Sequence, residues 1–114
     1  PTYLLTHWAR DRSRGPKLPI EPVVKAQTAE TASFFGMTDR GRLTPGMRAD
    51  VYLIDHDNLR IHAPHLEHDL PAGGKRLLQG ADGYVATMVA GETVFENGEH
   101  TGLLPGKLVR AGQS

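Results

Sequence analysis

The residues best suited to chemistry crowd one stretch of the chain. His56, His62, His65 and His68 stand there, with Asp55, Asp57, Glu67 and Asp69 interspersed. Imidazoles and carboxylates are the donors that zinc and similar ions take. His62, His65 and His68 follow one another at intervals of three, which would roughly align them on a helix. Pro64 interrupts that run, however, and no cap pattern surrounds it. The expectation is a solvated polar loop, with metal capture as the competing reading. His7 beside Trp8 is of the type that serves as a general base, but a packed or surface helical histidine is the plainer reading. Residues 102–107 superficially resemble a phosphate loop, yet only three residues separate Gly102 from Gly106, and Leu108 stands where a hydroxyl is required. Ser13, Ser33 and Ser114 sit in no nucleophile elbow, and no HExxH zinc helix is present. Arg10, Arg12 and Arg14 read as a solvated helix end. No catalytic, cofactor-binding or metal-ligating residue is therefore assigned.

The chain that must position these groups has 114 residues, enough for one small domain. With 39% hydrophobic and 23% charged residues, a packed core is attainable. Thirteen basic residues balance thirteen acidic ones, which argues against nucleic acid or an anionic membrane as the main partner. Cysteine is absent, so neither a disulfide framework nor a thiolate metal site is available. That absence fits a reducing cytoplasm. No apolar run has the length of a membrane helix. The chain opens on Pro1 without a signal-peptide pattern, and the expectation is a truncated or proteolysed product.

Helical signals come first. Residues 2–12 carry Tyr3, Leu4, Leu5, Trp8 and Ala9 along one stripe, and Gly15-Pro16 breaks the pattern. Pro19 and Glu21 suit the first turn of a second helix with Ile20, Val23 and Val24 on its apolar face. Thr28 reads as a fresh cap for a short third helix ending at Gly36. Strand signals follow: residues 41–43, a Pro45-Gly46 turn, then residues 49–55. Residues 57–80 predict a long polar loop, which is uncommon unless functional or mobile. Residues 84–89 and 91–96 predict strands, and Asn97-Gly98 a tight turn. The tail from 101 to 114 is expected to be partly ordered. The fold class is α+β, divided into a helical segment over 1–37 and a β-rich segment over 38–114.

The sharpest signal is an ordered set of local patterns. Thr28-Ala29-Glu30-Thr31-Ala32 leads to residues 35–43, and Gly41, Leu43, Pro45, Gly46, Ala49 and Asp50 complete a G-x-L-x-P-G-x-x-A-D segment. An apolar strand ending at Asp55 follows, and Val89-Ala90-Gly91-Glu92-Thr93-Val94-Phe95-Glu96-Asn97-Gly98 comes later. This set resembles the C-terminal end of the metal-dependent amidohydrolase superfamily. The flanks at residues 2–10 and 69–77, with Asp82-Gly83-Tyr84, resemble its N-acyl-D-amino-acid deacylase (D-aminoacylase) branch.

The resemblance implies a (β/α)8 barrel, whose last helices would be residues 2 to about 36, and a composite β-sandwich fed by residues 39–98. It also implies zinc or a similar divalent metal in the parent enzyme, held by residues with no match in this chain. The expected function is that of an inactive C-terminal part of an enzyme hydrolysing the amide bond of N-acyl-(D-)amino acids. Its expected partners are the rest of that enzyme or a second copy of itself. The alternative is a non-enzymatic β-rich binding module with a histidine-rich, metal-capturing loop.

Overall fold

A computed structural model describes residues 1–110. Helix α1 (Leu4–Asp11) is wound wider than an α-helix, with bonds reaching five residues back, as from Arg12 N–H to His7 O at 2.8 Å. Helices α2 (Ile20–Lys25), α3 (Ala26–Glu30) and α4 (Thr31–Phe34) run into one another, because the residues at both junctions keep right-handed helical angles. Thr28, expected to cap a separate helix, does not do so. Its hydroxyl donates back to Val24 O at 2.8 Å, and Thr31 does the same to Ala26 O at 2.7 Å. Satisfied in this way, both threonines ride inside the helix and no new start is made.

The strands are β1 (Val51–Ile54), β2 (Arg60–Ile61), β3 (His65–Leu70), β4 (Gly74–Leu78), β5 (Ala81–Asp82), β6 (Tyr84–Val89), β7 (Glu92–Glu96) and β8 (Glu99–His100). They form a four-stranded antiparallel sheet in the order β1-β6-β7-β8, and two separate ribbons, β2-β5 and β3-β4. The architecture is α+β with antiparallel sheets. Three sequence expectations are corrected. Residues 57–80 are no loop, since they hold β2 and the whole β3-β4 hairpin, turned by Pro71–Gly73. The turn works because Ala72 and Gly73 both take left-handed angles, with φ of 58° and 71°. Residues 41–42 form a bend and 43 carries no regular element, so no strand forms there, and β8 was not expected. Of the tail, residues 101–110 carry no regular element, and 111–114 lie outside the described residues.

Two turns hold the main sheet together. Ala90-Gly91 joins β6 to β7 and Asn97-Gly98 joins β7 to β8, each pair with both φ angles positive. The core lies where helices meet the sheet: Leu5, Val23 and Leu59 pack together, flanked by Leu4, Ile54 and Tyr84. The two halves of the sequence thus share one cluster. Leu59, only 1% exposed, is its centre. Arg10 ties α1 to the segment around it by donating to the carbonyls of His56, Asp57 (3.1 Å) and Leu59 (2.8 Å).

This core is small for the chain. The accessible surface is 8651 Å², whereas a folded monomer of 12.4 kDa exposes about 6,100 Å². The radius of gyration is 16.3 Å, against about 13 Å for a compact domain of this length. Roughly 2,500 Å² therefore remains uncovered relative to a self-sufficient fold. Among the described residues, no helix is long and apolar enough to cross a membrane.

Candidate functional site

One face of the main sheet looks toward the helices. Cross-strand partners project to the same side. Tyr52 pairs with Thr87, Thr87 with Phe95, and Phe95 with His100, so one band crosses the sheet. Ile54 and Tyr84 continue it, with Tyr52 and Tyr84 edge to face at 5.9 Å and Phe95 and His100 at 5.0 Å. Opposite stand Pro1, Thr2 and Leu5 of the first helical segment and Gln27 and Thr28 of α3. A hydrogen bond of 2.8 Å between the Thr2 and Tyr84 hydroxyls closes one end.

The cleft between them holds about 600 Å³. Its lining offers aromatic and aliphatic surface, threonine hydroxyls, and the Gln27 and Gln79 amides. Among the described residues, no acid, lysine, arginine or histidine lines it. Such a cleft can bind an apolar or amide-bearing surface, but it presents no general base and no metal donor. Tyr52 remains 65% exposed within it, so the band is only partly covered.

The G-x-L-x-P-G-x-x-A-D segment builds a charge clamp. Arg40 grips Asp39 through Nε at 2.8 Å and Nη2 at 2.9 Å, and reaches Asp50 at 3.0 Å. Arg48 Nε donates to both Asp50 oxygens, at 2.8 and 3.0 Å. The same Asp50 carboxylate accepts the Ala90 N–H at 2.9 Å, while Gly91 N–H donates to Ala49 O. Asp50 therefore fixes the β6-β7 turn at Ala90, a non-glycine residue held at φ 54°. Its role is positional. Asp50→Ala is expected to cost about 1 to 2 kcal/mol, the worth of a charge-assisted bond discounted for partial exposure. Chemical denaturation would read that loss, and an unchanged midpoint would show that the turn holds itself.

The structure disperses the histidines. His62 Nε2 lies 2.9 Å from Asp82 Oδ2, across the β2-β5 ribbon. His65 lies 3.3 Å from Glu67 on its own strand. His56 Nε2 approaches Leu5 O at 3.4 Å, and His68 sits on exposed β3. The helical alignment suggested by their spacing does not arise, because His65 and His68 lie in a strand. Among the described residues no three His, Cys, Asp or Glu side chains converge as a metal site would require. His7 is packed, stacked on Tyr3 at 4.9 Å and edge-on to Trp8 at 5.4 Å. Of the three arginines read as a helix end, Arg12 lies over the Trp8 ring at 4.6 Å, and Arg10 is the tie to the core. Sequence reasoning did not foresee the aromatic cleft. The apolar run Val51-Tyr52-Leu53-Ile54 was its signal, since a strand apolar on both faces asks for two covers.

The titration pattern is structural as well. Asp11, Asp39 and Asp69 are held below the usual carboxylate range chiefly by hydrogen bonds from Arg10, Arg40 and Arg76. Asp55 is lowered chiefly by the Asn58 side chain and backbone N–H. A depressed native pKa gives stability that is full above the unfolded value, about 3.9, and lost as pH falls through the native one. Melting temperature is therefore expected to begin its acid decline below roughly pH 5 and to steepen toward pH 3. An acid midpoint near neutrality in a thermal-melt series would contradict that assignment.

Comparison with known proteins adds the family. A model described as an amidohydrolase family matches residues 1–95. An adenine deaminase from Desulfatibacillum aliphaticivorans is 31% identical over 71 residues. That match covers 60% of this chain and 12% of the deaminase, so the chain corresponds to a small part of its relative. No solved structure matches the chain.

Proposed function

Because the chain belongs to the amidohydrolase family, we propose that it is a non-catalytic, scaffolding part of a metal-dependent hydrolase that cleaves the amide bond of N-acyl-(D-)amino acids. The observation that carries this reading is the open aromatic cleft, which has binding surface but, among the described residues, no carboxylate, imidazole, lysine or arginine side chain. In this reading the band of Tyr52, Tyr84 and Phe95 docks against the remainder of the enzyme, burying surface now exposed. Helices α1 to α4 are the last helices of the barrel, and the main sheet is one wall of the composite sandwich.

The branch and substrate rest on the patterns at residues 2–10, 69–77 and 82–84. Zinc or a similar ion belongs to the remainder of the enzyme, because the described residues here do not fit one. The ion would supply an activated water and polarise the carbonyl. This chain would hold the barrel's last helices against the small sheet through Leu5, Val23 and Leu59. A cytoplasmic setting rests on the lack of cysteine.

The match to the adenine deaminase favours a second reading, in which the intact enzyme releases ammonia from adenine. Assaying the intact enzyme against N-acetyl-D-amino acids, their L-forms and adenine separates the two. Release of the free D-amino acid is expected, and ammonia from adenine alone would replace the first reading with the second. The 114-residue chain by itself is expected to turn over none of them and to retain no stoichiometric zinc after dialysis against a weak chelator. Retained zinc would favour a free-standing binding module.

A further inference from the structure

The chain has two asparagines, Asn58 and Asn97, and the fold treats them oppositely. The Asn58 amide is held, its Nδ2 donating to Asp55 Oδ2 at 2.7 Å. The residue after it, Leu59, is the buried centre of the core. Asn97 is exposed and is followed by Gly98, in the two-residue turn from β7 to β8. A Cβ added at Gly98 would meet nothing within 4 Å, so the backbone there is open to water. The turn is also easily undone. Strand β8 has only two residues, both exposed, at the edge of the sheet. Glu96 and Glu99 stand directly opposite each other beside the turn, and like charges so placed loosen the ribbon end.

We infer that Asn97 is a modification site, at which the chain deamidates itself through a ring closed by the Gly98 nitrogen. That nitrogen attacks Asn97 Cγ, an approach that a residue without a side chain leaves unobstructed. The new N–Cγ bond closes a succinimide, the Cγ–Nδ2 bond breaks, and ammonia leaves with the proton given up by the Gly98 N–H. Water then opens the ring. Cleavage of the N–Cγ bond leaves aspartate. Cleavage of the bond to the Asn97 main-chain carbonyl leaves isoaspartate, with the chain running through the former side chain. Either product sets a third carboxylate beside Glu96 and Glu99. Isoaspartate also lengthens the main chain by a methylene, which a two-residue turn cannot absorb in register. Strand β8 then leaves β7, and the contact of His100 with Phe95 and the bond from Thr101 N–H to Val94 O are lost with it. Asp82-Gly83, the corresponding pair with an acid, is protected. Gly83 lies flat against the Leu59 backbone, and its carbonyl accepts the Asp55 N–H at 2.8 Å.

The inference does not depend on the substrate. Incubating the intact protein in mildly alkaline buffer, then mapping its peptides so that aspartate and isoaspartate separate, tests it. Asn97 is expected to convert at least about tenfold faster than Asn58, because reaction at Asn58 must first unpack Leu59. Isoaspartate is expected among the products, and Gly98→Ala, which crowds the attacking nitrogen, is expected to slow the conversion markedly. In the modified protein, hydrogen exchange at the Thr101 amide is expected to speed up while that at Met88, inside the sheet, stays as it was. Conversion of both asparagines at one rate, an Asn97 that persists unconverted, or aspartate without isoaspartate would overturn the inference. Unchanged exchange at Thr101 would overturn its consequence for β8.

Discussion

Gly83→Ala is expected to lower the melting temperature by about 12 °C or more, corresponding to roughly 3 kcal/mol. Gly83 sits at φ +93°, and a Cβ there would fall 2.7 Å from Leu59 Cα and 3.0 Å from both Leu59 N and Asp55 O. All three neighbours are backbone, which cannot rotate away as a side chain can. Nor can the segment move as a body. Asp55 N–H bonds to Gly83 O at 2.8 Å, and Arg10 holds Leu59 O at the same distance. The added methyl must therefore part β6 from the Leu59 segment at the centre of a small core. Gly98→Ala is the comparison. It has nearly the same φ, +86°, but nothing within 4 Å of its added Cβ. That variant is expected to lose only about 1 kcal/mol, the cost of a left-handed alanine. Equal losses in the two would mean that the close approach to Leu59 carries no weight.

How far the sequence disclosed this arrangement depended on where each signal was written. Helix α1, strands β1, β6 and β7, and the Asn97-Gly98 turn follow from apolar spacing and turn chemistry. The β3-β4 hairpin escaped because it packs against no core. Its residues His65-Leu66-Glu67-His68-Asp69-Leu70 alternate too weakly to announce a strand, and its turn places a left-handed alanine where glycine would have been the cue. The join of α2 to α3 and α4 escaped for a different reason. A threonine followed by Ala-Glu-Thr resembles a cap, and only the carbonyls of Val24 and Ala26, four and five residues back, reveal otherwise. The histidines illustrate the limit on reading a site. Ligand types at regular intervals say nothing about convergence, and here a turn, the residue after β2 and strand β3 point them toward Leu5 O, Asp82 and Glu67 separately.

The G-x-L-x-P-G-x-x-A-D segment contains two glycines whose roles differ, and Gly41→Ala against Gly46→Ala is expected to expose the difference. Both hold φ at +88°. At Gly46 an added Cβ meets nothing within 4 Å, so substitution there is expected to cost only the backbone strain, about 1 kcal/mol. At Gly41 it would lie 2.8 Å from Ala32 Cβ, 3.0 Å from Thr28 O and 3.2 Å from Ala29 Cα. Gly41 is thus the point where the chain, leaving α4, folds back flat against the helix that precedes it. Ala32 is buried at that contact, and the neighbouring Arg40 enters the clamp on Asp39 and Asp50. An alanine at 41 must push the bend off the helix and with it the arginine that steadies Asp50. A loss of about 3 kcal/mol is expected, and combining it with Asp50→Ala should add less than the sum, because the bend positions the clamp. Denaturant midpoints for the two single variants and the double variant read this directly. Full additivity would separate the bend from the clamp. A Gly46→Ala loss as large as that of Gly41→Ala would remove the helix contact as the reason for the first glycine.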